Sequence, residues 1–169
     1  MNEPRGFRAI RLGAVFLVLL CTVGCDQTTK HFARTELGQS GSQTLPGGFV
    51  EFTLAENPGA FLSLGASFPA AVRGALLTCA VGLGLACLLA YLLGSSRLRR
   101  LSFLGLALIL AGGTSNLVDR LARHGLVTDF MLIRAGPFHT GVFNVADLAI
   151  VAGALILALA LRASPRRHH

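Results

Sequence analysis

Residues Gly112–Asp147 read GGTSNLVDRLARHGLVTDFMLIRAGPFHTGVFNVAD, and this stretch decides how the rest of the chain is interpreted. One apolar run leads into it and another leads out of it, so it joins the ends of two predicted helices. It holds three of the chain's eight acidic residues and two asparagines: Asp119, Asp129, Asp147, Asn116 and Asn144. We expect two of these carboxylates to do chemistry at a membrane surface, because charged groups beside apolar spans are costly and usually functional.

The composition is typical of a membrane protein. The 169 residues are 53% hydrophobic and 14% charged, and the mean hydropathy is +0.64, which is too apolar for an ordinary soluble domain. The formal charge of +7 lies at the ends of apolar runs instead of on one polar face, so we expect no nucleic-acid partner. The four cysteines stand inside apolar runs without a CxxC spacing and are predicted to be small buried residues. They are Cys21, Cys25, Cys79 and Cys87.

Four apolar runs predict four transmembrane helices in one integral membrane domain that covers residues 1–169. With about 20 residues needed for each span, the predicted spans are about 10–31, 71–95, 101–120 and 143–162. Nine of the fifteen Lys and Arg residues lie in the N-terminus, the connector between the second and third spans, and the tail. The positive-inside rule therefore places both termini in the cytoplasm and segments 34–69 and 121–143 outside.

The first apolar run has a second interpretation. Residues Leu12–Cys25 follow three arginines and end in Thr-Val-Gly-Cys, as in the signal peptide of a lipoprotein. The chain would then itself be a lipoprotein, cut between Gly24 and Cys25. The three further apolar runs favour a first transmembrane helix.

The outer segments predict a small sheet and a short helix. Residues 49–54 place apolar side chains on one face, as in a strand, and residues 128–133 and 138–143 are further strand candidates. The apolar stretch 60–68 follows a turn and is predicted to lie in the membrane interface. The expected fold is an all-α membrane protein of four transmembrane helices, with a small β-sheet and a short interfacial helix on the outer, periplasmic side.

Counting about 1.5 Å per residue from the cytoplasmic charges brings polar groups of three helices into one shallow layer near the outer surface. The layer contains Asp26, Lys30, Asn116, Asp119, Arg120, Asn144 and Asp147. Asp26 and Lys30 have the i, i+4 spacing of an ion pair. Charges at this depth need partners or a place inside the bundle.

Each of these residues also has a structural interpretation. Asn144 and Asp147 have the spacing of a helix N-cap and its N3 acid, Asp119 and Arg120 could be a pair at a helix end, and Asp129 could be a turn residue. A bundle that carries protons or cations is a further alternative, but its polar groups would lie at one end of the membrane only. No His or Cys residues stand at ligand spacing, so we expect no metal and no cofactor.

Five motifs in register resemble the lipoprotein signal peptidases (signal peptidase II), bacterial aspartyl peptidases of the cytoplasmic membrane. The resemblance covers nearly the whole chain. The motifs are Asp26-Gln-Thr-Thr-Lys30, Glu56-Asn57-Pro58-Gly59-Ala60-Phe61, Gly112-Gly113-Thr-Ser-Asn116-Leu-Val-Asp119-Arg120, Val127-Thr128-Asp129-Phe130 and Phe143-Asn144-Val145-Ala146-Asp147.

The resemblance implies that Asp129 and Asp147 are the catalytic pair. It implies that the other matched residues bind substrate or support the site: Asn57, Asn116, Arg120, Asn144, Asp119, Asp26, Lys30 and Gly112. The implied substrate is a diacylglyceryl prolipoprotein cut just before its lipidated Cys, with membrane lipid as a partner and a globomycin-type cyclic peptide as an inhibitor. The implied protein is a multi-pass monomer of the inner membrane whose active site lies near the outer face.

Overall fold

The structure, a computed structural model, describes residues 5–59, 69–95 and 98–163. Within these ranges it has four long helices and four strands. The helices are α1 (Arg5–Ser40), α2 (Ala70–Gly94), α3 (Arg100–Ala122) and α4 (Val145–Arg162). The strands are β1 (Gln43–Thr44), β2 (Val50–Asn57), β3 (Val127–Ala135) and β4 (Phe138–His139).

The fold class predicted from the sequence is confirmed for the described residues. Each of the four helices contains a segment long and apolar enough to cross a membrane, and these segments are Ala9–Ser40, Gly74–Gly94, Arg100–Ala122 and Val145–Arg162. The strands form one antiparallel sheet in the order β1-β2-β3-β4. The predicted interfacial helix at 60–68 lies outside the described residues.

Helix α1 is longer than the predicted first span, which was expected to end near residue 31. It continues without a break past Gly24 and Cys25 to Ser40. Its last turns are stabilised by packing against the sheet, because Ala33 and Leu37 are buried together with Phe130 of β3. Helix α1 thus extends above the other helices and supports one face of the sheet.

Arginines hold the helix ends together at the end of the bundle opposite the sheet. Arg11 of α1 donates to the backbone oxygen of Ser95, just after α2, and its guanidinium lies 5.2 Å from the ring centre of Phe103. Arg99 donates to the backbone oxygen of Ala160 near the end of α4 at 3.2 Å. Arg11 and Arg99 therefore lie at one end of the bundle, while the acidic motifs gather at the other end, beside the sheet.

Helices α3 and α4 make the closest contact in the bundle. At Gly112 an added Cβ atom would collide with the backbone oxygen of Ala146 and the side chain of Ile150. Close backbone approach of this kind through small residues is a common way of packing membrane helices. The contact holds the first turn of α4, which contains Asp147, against the polar turns of α3.

The surface of the bundle is apolar, as expected for helices in lipid. Phe16, Leu83 and Leu155 are among many large hydrophobic side chains that point outward. The four cysteines also lie on the outer surface of α1 and α2, so the prediction that they are buried was wrong. A small thiol is tolerated on a lipid-facing surface because the surrounding medium is as apolar as a protein core.

Candidate active site

Asp129 lies in β3 and is almost completely buried. Strand β2 supplies one of its partners: the Nδ2 atom of Asn57 donates to Oδ2 of Asp129 at 3.0 Å. Asn57 pairs with Val127 in the sheet, two residues before Asp129. Side chains two residues apart share a face of a strand, so the sheet register itself brings Asn57 to the carboxylate.

Asp147 lies in the first turn of α4 as part of a capping box. Asn144 is the N-cap, its side chain accepts from the backbone N–H of Asp147 at 2.9 Å, and Oδ2 of Asp147 accepts from the backbone N–H of Asn144 at 3.2 Å. The predicted N-cap with its N3 acid is therefore present. The positive end of the helix dipole suits a carboxylate at this position.

Asn144 connects the two aspartates. Its Oδ1 atom is used by the helix cap, so its Nδ2 atom is free to donate to Oδ1 of Asp129 at 2.6 Å. The same Nδ2 atom lies 3.1 Å from Oδ1 of Asn116. Asn144 is held next to β3 because the preceding residue, Phe143, forms two backbone hydrogen bonds with Met131 of β3. The side chain of Asn144 therefore hydrogen-bonds both to Asp129 of β3 and to Asp147 of α4.

Asn116 of α3 provides the side-chain donor to Asp147. Its Nδ2 atom donates to Oδ1 of Asp147 at 2.9 Å, and its Oδ1 atom accepts from Nζ of Lys30 at 3.0 Å. Each aspartate of the candidate pair thus accepts from a different asparagine amide, and the two amides contact each other. The arrangement holds two carboxylates from different elements in fixed orientations.

A second group of buried charges lies behind this pair. Lys30 is fully buried, and its Nζ atom lies 2.7 Å from Asp26 and 3.0 Å from Asp119. The predicted ion pair of Asp26 with Lys30 is therefore present. The cation next to Asp119, however, is Lys30 of another helix and not the adjacent Arg120. We call Asp26, Lys30 and Asp119 the ion cluster.

The ion cluster has further donors that the motifs alone do not identify. Gln27 donates to Asp119 at 3.0 Å, Ser115 donates to Asp26 at 2.6 Å, and the backbone N–H of Thr128 donates to Asp119 at 3.0 Å. The backbone N–H of Ala146 donates to Asp26 at 2.9 Å. Gln27 and Ser115 could have been noticed in the sequence as polar residues within apolar runs. Their partners could not have been predicted, because they depend on how the helices pack. Helices α1, α3 and α4 and strand β3 all meet at this cluster.

Arg120 borders the pair from α3. Its Nη1 atom donates to the backbone oxygen of Asn116 at 3.4 Å, and it is close enough to interact electrostatically with Asp147, Asp129 and Asp119. Its Nε atom is buried and has no hydrogen-bond partner among the described residues. Its guanidinium also faces Gly59, where an added Cβ atom would lie 3.4 Å from Nη2. Arg120 is therefore a cation beside the pair, and its Nε–H group is available to donate a hydrogen bond to a bound molecule.

The pKa of Asp129 is raised from its ordinary value of 3.8 to about 6. The largest cause is burial, which disfavours the charged carboxylate, and repulsion from Asp147 acts in the same direction. Hydrogen bonds from Asn57 and Asn144 and the charge of Lys30 oppose these effects without cancelling them. A carboxyl group with this pKa can exist in either protonation state near neutral pH, which a general acid or base needs.

The structure brings together nine of the ten residues proposed from the sequence, in two connected groups. Asp129, Asp147, Asn57, Asn116, Asn144 and Arg120 surround the pair, and Asp26, Lys30 and Asp119 form the ion cluster. The tenth, Gly112, lies where α3 and α4 approach closely, and an added Cβ atom there would collide with the backbone oxygen of Ala146. Within the described residues no cluster of three His, Cys, Asp or Glu side chains could hold a metal ion.

Comparison with known proteins identifies the family. Residues 18–162 match the family model described as Signal peptidase (SPase) II. The chain is 34% identical over 157 residues to the lipoprotein signal peptidase of Syntrophus aciditrophicus, covering 93% of this chain and 92% of that protein. It is 38% identical over 141 residues to the lipoprotein signal peptidase of Moorella thermoacetica, covering 83% of this chain and 87% of that protein.

Two solved structures share the fold. Both are described as bacterial membrane enzymes determined by the in meso method, one at 1.9 Å resolution and one at 2.3 Å. The first superposes with a TM-score of 0.75 over 90% of this chain and 94% of the other, at 23% identity. The second gives a TM-score of 0.70 over 93% and 94%, at 21% identity. With the family model matched over most of its length, the chain belongs to the signal peptidase II family and is a multi-pass membrane peptidase.

Proposed function

We propose that the protein is an aspartyl endopeptidase that removes signal peptides from diacylglyceryl prolipoproteins, cutting just before the lipidated Cys. The observation that carries this proposal is the pair Asp129 and Asp147. The two residues come from a strand and a helix, are bridged by Asn144, and are close enough for the charge of one to raise the pKa of the other. Family membership supports the lipoprotein substrate.

We assign different roles to the two carboxylates. Asp147 has the positive end of α4, two N–H donors and the charge of Arg120 around it, and these suit an ionised general base. Asp129 lies in a strand, is buried, and has a pKa raised to about 6, which suits the residue that holds the proton. The charge of Asp147 helps to raise the pKa of Asp129, so an ionised Asp147 favours the protonated form of its partner.

The reaction follows from these roles. Asp147 removes a proton from a water molecule as the water oxygen attacks the carbonyl carbon of the scissile bond. Asp129 hydrogen-bonds to the carbonyl oxygen, where negative charge develops. The tetrahedral intermediate then breaks its C–N bond, and a carboxyl proton passes to the leaving nitrogen. The products are the carboxyl terminus of the signal peptide and the free amine of the lipidated Cys, so the reaction consumes only water.

Neighbouring side chains would orient the substrate. Arg120 has a buried Nε donor without a partner among the described residues, and a backbone carbonyl of the bound peptide is a suitable acceptor for it. Asn57 and Asn116 hold the carboxylates from two sides. Orientation of this kind contributes much of the rate of a hydrolytic enzyme, because the reacting groups no longer have to be collected from solution.

The depth of the pair suits a substrate anchored in lipid. Asp147 lies in the first turn of α4 and Asp129 lies in the sheet just beyond the end of α3, while the arginines of the opposite end would face the cytoplasm. The acyl chains of a prolipoprotein can stay in the outer leaflet of the inner membrane while its peptide bond reaches the pair. We propose a monomer with both termini cytoplasmic, inhibited by cyclic peptides of the globomycin type.

The test is cleavage of a synthetic diacylglyceryl precursor peptide by the purified protein in detergent, with the products identified by mass spectrometry. Asp129→Asn and Asp147→Asn should each lower kcat by about 10³-fold or more, because each removes one half of the acid–base pair. Glu51→Gln, the same kind of change at an acid in the sheet, is the matched control and should keep wild-type turnover. Near-normal turnover by either Asp variant, or cleavage at another bond, would contradict the proposal.

A further inference from the structure

Lys30 is the one cation of the ion cluster, and all of its donors are used. An ammonium group has three N–H donors and no acceptor. Its three partners are Asp26 at 2.7 Å, Asp119 at 3.0 Å and Oδ1 of Asn116 at 3.0 Å. The first two partners are carboxylates, the usual partners of a buried lysine. The third is a neutral amide that belongs to the candidate active site.

An asparagine amide can be turned by 180°, which exchanges its oxygen and its NH2 group. At Asn116 only one of these orientations suits the surroundings. Lys30 and the Nδ2 atom of Asn144 both donate toward the same atom of Asn116, at 3.0 Å and 3.1 Å, so that atom has to be the oxygen. The NH2 group then faces Asp147, 2.9 Å away.

We propose that Lys30 is a positioning residue of the reaction: its ammonium group fixes the amide of Asn116 so that an N–H, and not an oxygen, faces Asp147. The proposal rests on the catalytic role proposed above for Asp147. With the amide reversed, an oxygen would face the carboxylate that has to be ionised, and the amide NH2 would face an ammonium group. Lys30 itself touches neither substrate nor water in this mechanism.

The competing explanation is that Lys30 only balances the charges of Asp26 and Asp119. A charge-matched double variant distinguishes this role from the positioning role. The ion cluster carries two acids and one cation, so Lys30→Met alone leaves two buried carboxylates without a cation and is expected to destabilise the fold. Lys30→Met combined with Asp119→Asn restores the original net charge of the cluster. It does not restore the N–H donor of Lys30, so that Oδ1 of Asn116 accepts only from Asn144. Asp119→Asn alone keeps Lys30 and measures the cost of losing one acid.

The expected result for the double variant is a kcat lowered by about 10- to 100-fold with KM changed less than about threefold, because misorienting a group next to the reacting atoms affects the reaction more than binding. Its thermal midpoint in detergent should be closer to that of the wild type than the midpoint of Lys30→Met. Asp119→Asn should lose much less kcat than the double variant. Equal kcat for the double variant and Asp119→Asn would overturn the proposal.

A second variant leaves Lys30 in place, in case the lysine variants do not fold. Asn116→Asp keeps an oxygen for Lys30 and replaces the N–H that faces Asp147 with a carboxylate oxygen. The proposal expects a loss of kcat of at least the same size in a folded protein, and wild-type kcat would overturn it. These outcomes are distinct from failure of the proposed function, in which Asp129→Asn or Asp147→Asn would keep turning over substrate.

Discussion

Two groups of carboxylates lie at the same end of the bundle, and the fold surrounds them with different partners. In the ion cluster, Asp26 and Asp119 share the ammonium of Lys30 within 3.0 Å. At the candidate catalytic pair, Asp129 and Asp147 accept from asparagine amides and backbone N–H. Among the described residues, no cation forms an ion pair with either of them.

Burial does not separate Asp129 from the ion cluster, because Asp26 is 0% exposed, Asp119 is 2% exposed and Asp129 is 2% exposed, while Asp147 is half-buried. The kind of partner separates them. A carboxylate against an ammonium is held in one charge state, whereas a carboxylate held by neutral amides keeps its orientation and can still take up a proton. A buried acid is therefore a candidate for proton transfer when its hydrogen-bond partners are neutral, and a structural element when it forms an ion pair with a cation.

The largest expected effect on stability comes from breaking the ion cluster. Asp26→Ala removes the acceptor of Lys30, Ser115 and the backbone N–H of Ala146. Breaking a buried ion pair from one side costs about 3–5 kcal/mol. We expect a fall of about 10 °C or more in the thermal midpoint in detergent.

Glu36→Ala is the matched control, because Glu36 is an exposed acid on the same helix. Its midpoint should equal that of the wild type. If Asp26→Ala unfolds at the same temperature as this control, the ion cluster does not stabilise the fold.

A second prediction concerns the pH dependence of the candidate catalytic pair. The pKa of Asp129 is raised to about 6, so its protonated form is abundant below that pH and declines above it. If Asp129 acts as the acid, kcat/KM should fall as pH rises through about 6, approaching tenfold per pH unit, because kcat/KM reports the free enzyme. Measurements in a zwitterionic detergent avoid a charged surface that would shift the local pH. A kcat/KM that stays constant from pH 5 to pH 8 would show that Asp129 is not that acid.

Much of this arrangement could be predicted from the sequence, because helix geometry is regular. Counting residues from the basic ends brought Asp26, Asn116 and Asp147 to one layer, and the structure connects all three through Lys30 in one polar network. The i, i+4 spacing correctly paired Asp26 with Lys30. These successes rest on the fixed rise and turn of a single helix.

The rest could not be predicted, because it depends on distances between elements. Asp119 pairs with Lys30 of another helix, although its sequence neighbour Arg120 was the obvious candidate. Helix α1 continues to Ser40 because the sheet offers Ala33 and Leu37 a surface. The cysteines are exposed on the outer surface of the bundle, where a membrane-spanning helix tolerates apolar side chains. Tertiary packing and solvent, which local patterns do not report, decide all of these features.

The smallest expected effect comes from removing one of the asparagine amides that donate to Asp129. Asn57 donates to Oδ2 of Asp129 at 3.0 Å and lowers the pKa of that carboxyl group. Asn57→Ala removes a hydrogen bond to a charged group, worth about 1.5–3 kcal/mol, and one pKa unit corresponds to about 1.4 kcal/mol. The pKa of Asp129 should therefore rise further, and the fall in kcat/KM should move to higher pH by about one to two units.

A matched variant controls for the turn that Asn57 also makes. Its Oδ1 atom accepts from the backbone N–H of Gly59 at 2.8 Å, and Asn57→Asp keeps that acceptor while it loses the N–H donor. Its added negative charge also disfavours ionisation of Asp129, so the pH profile should move in the same direction and at least as far. A shift in Asn57→Ala without a shift in Asn57→Asp would mean that the turn, and not the amide donor, sets the pKa of Asp129.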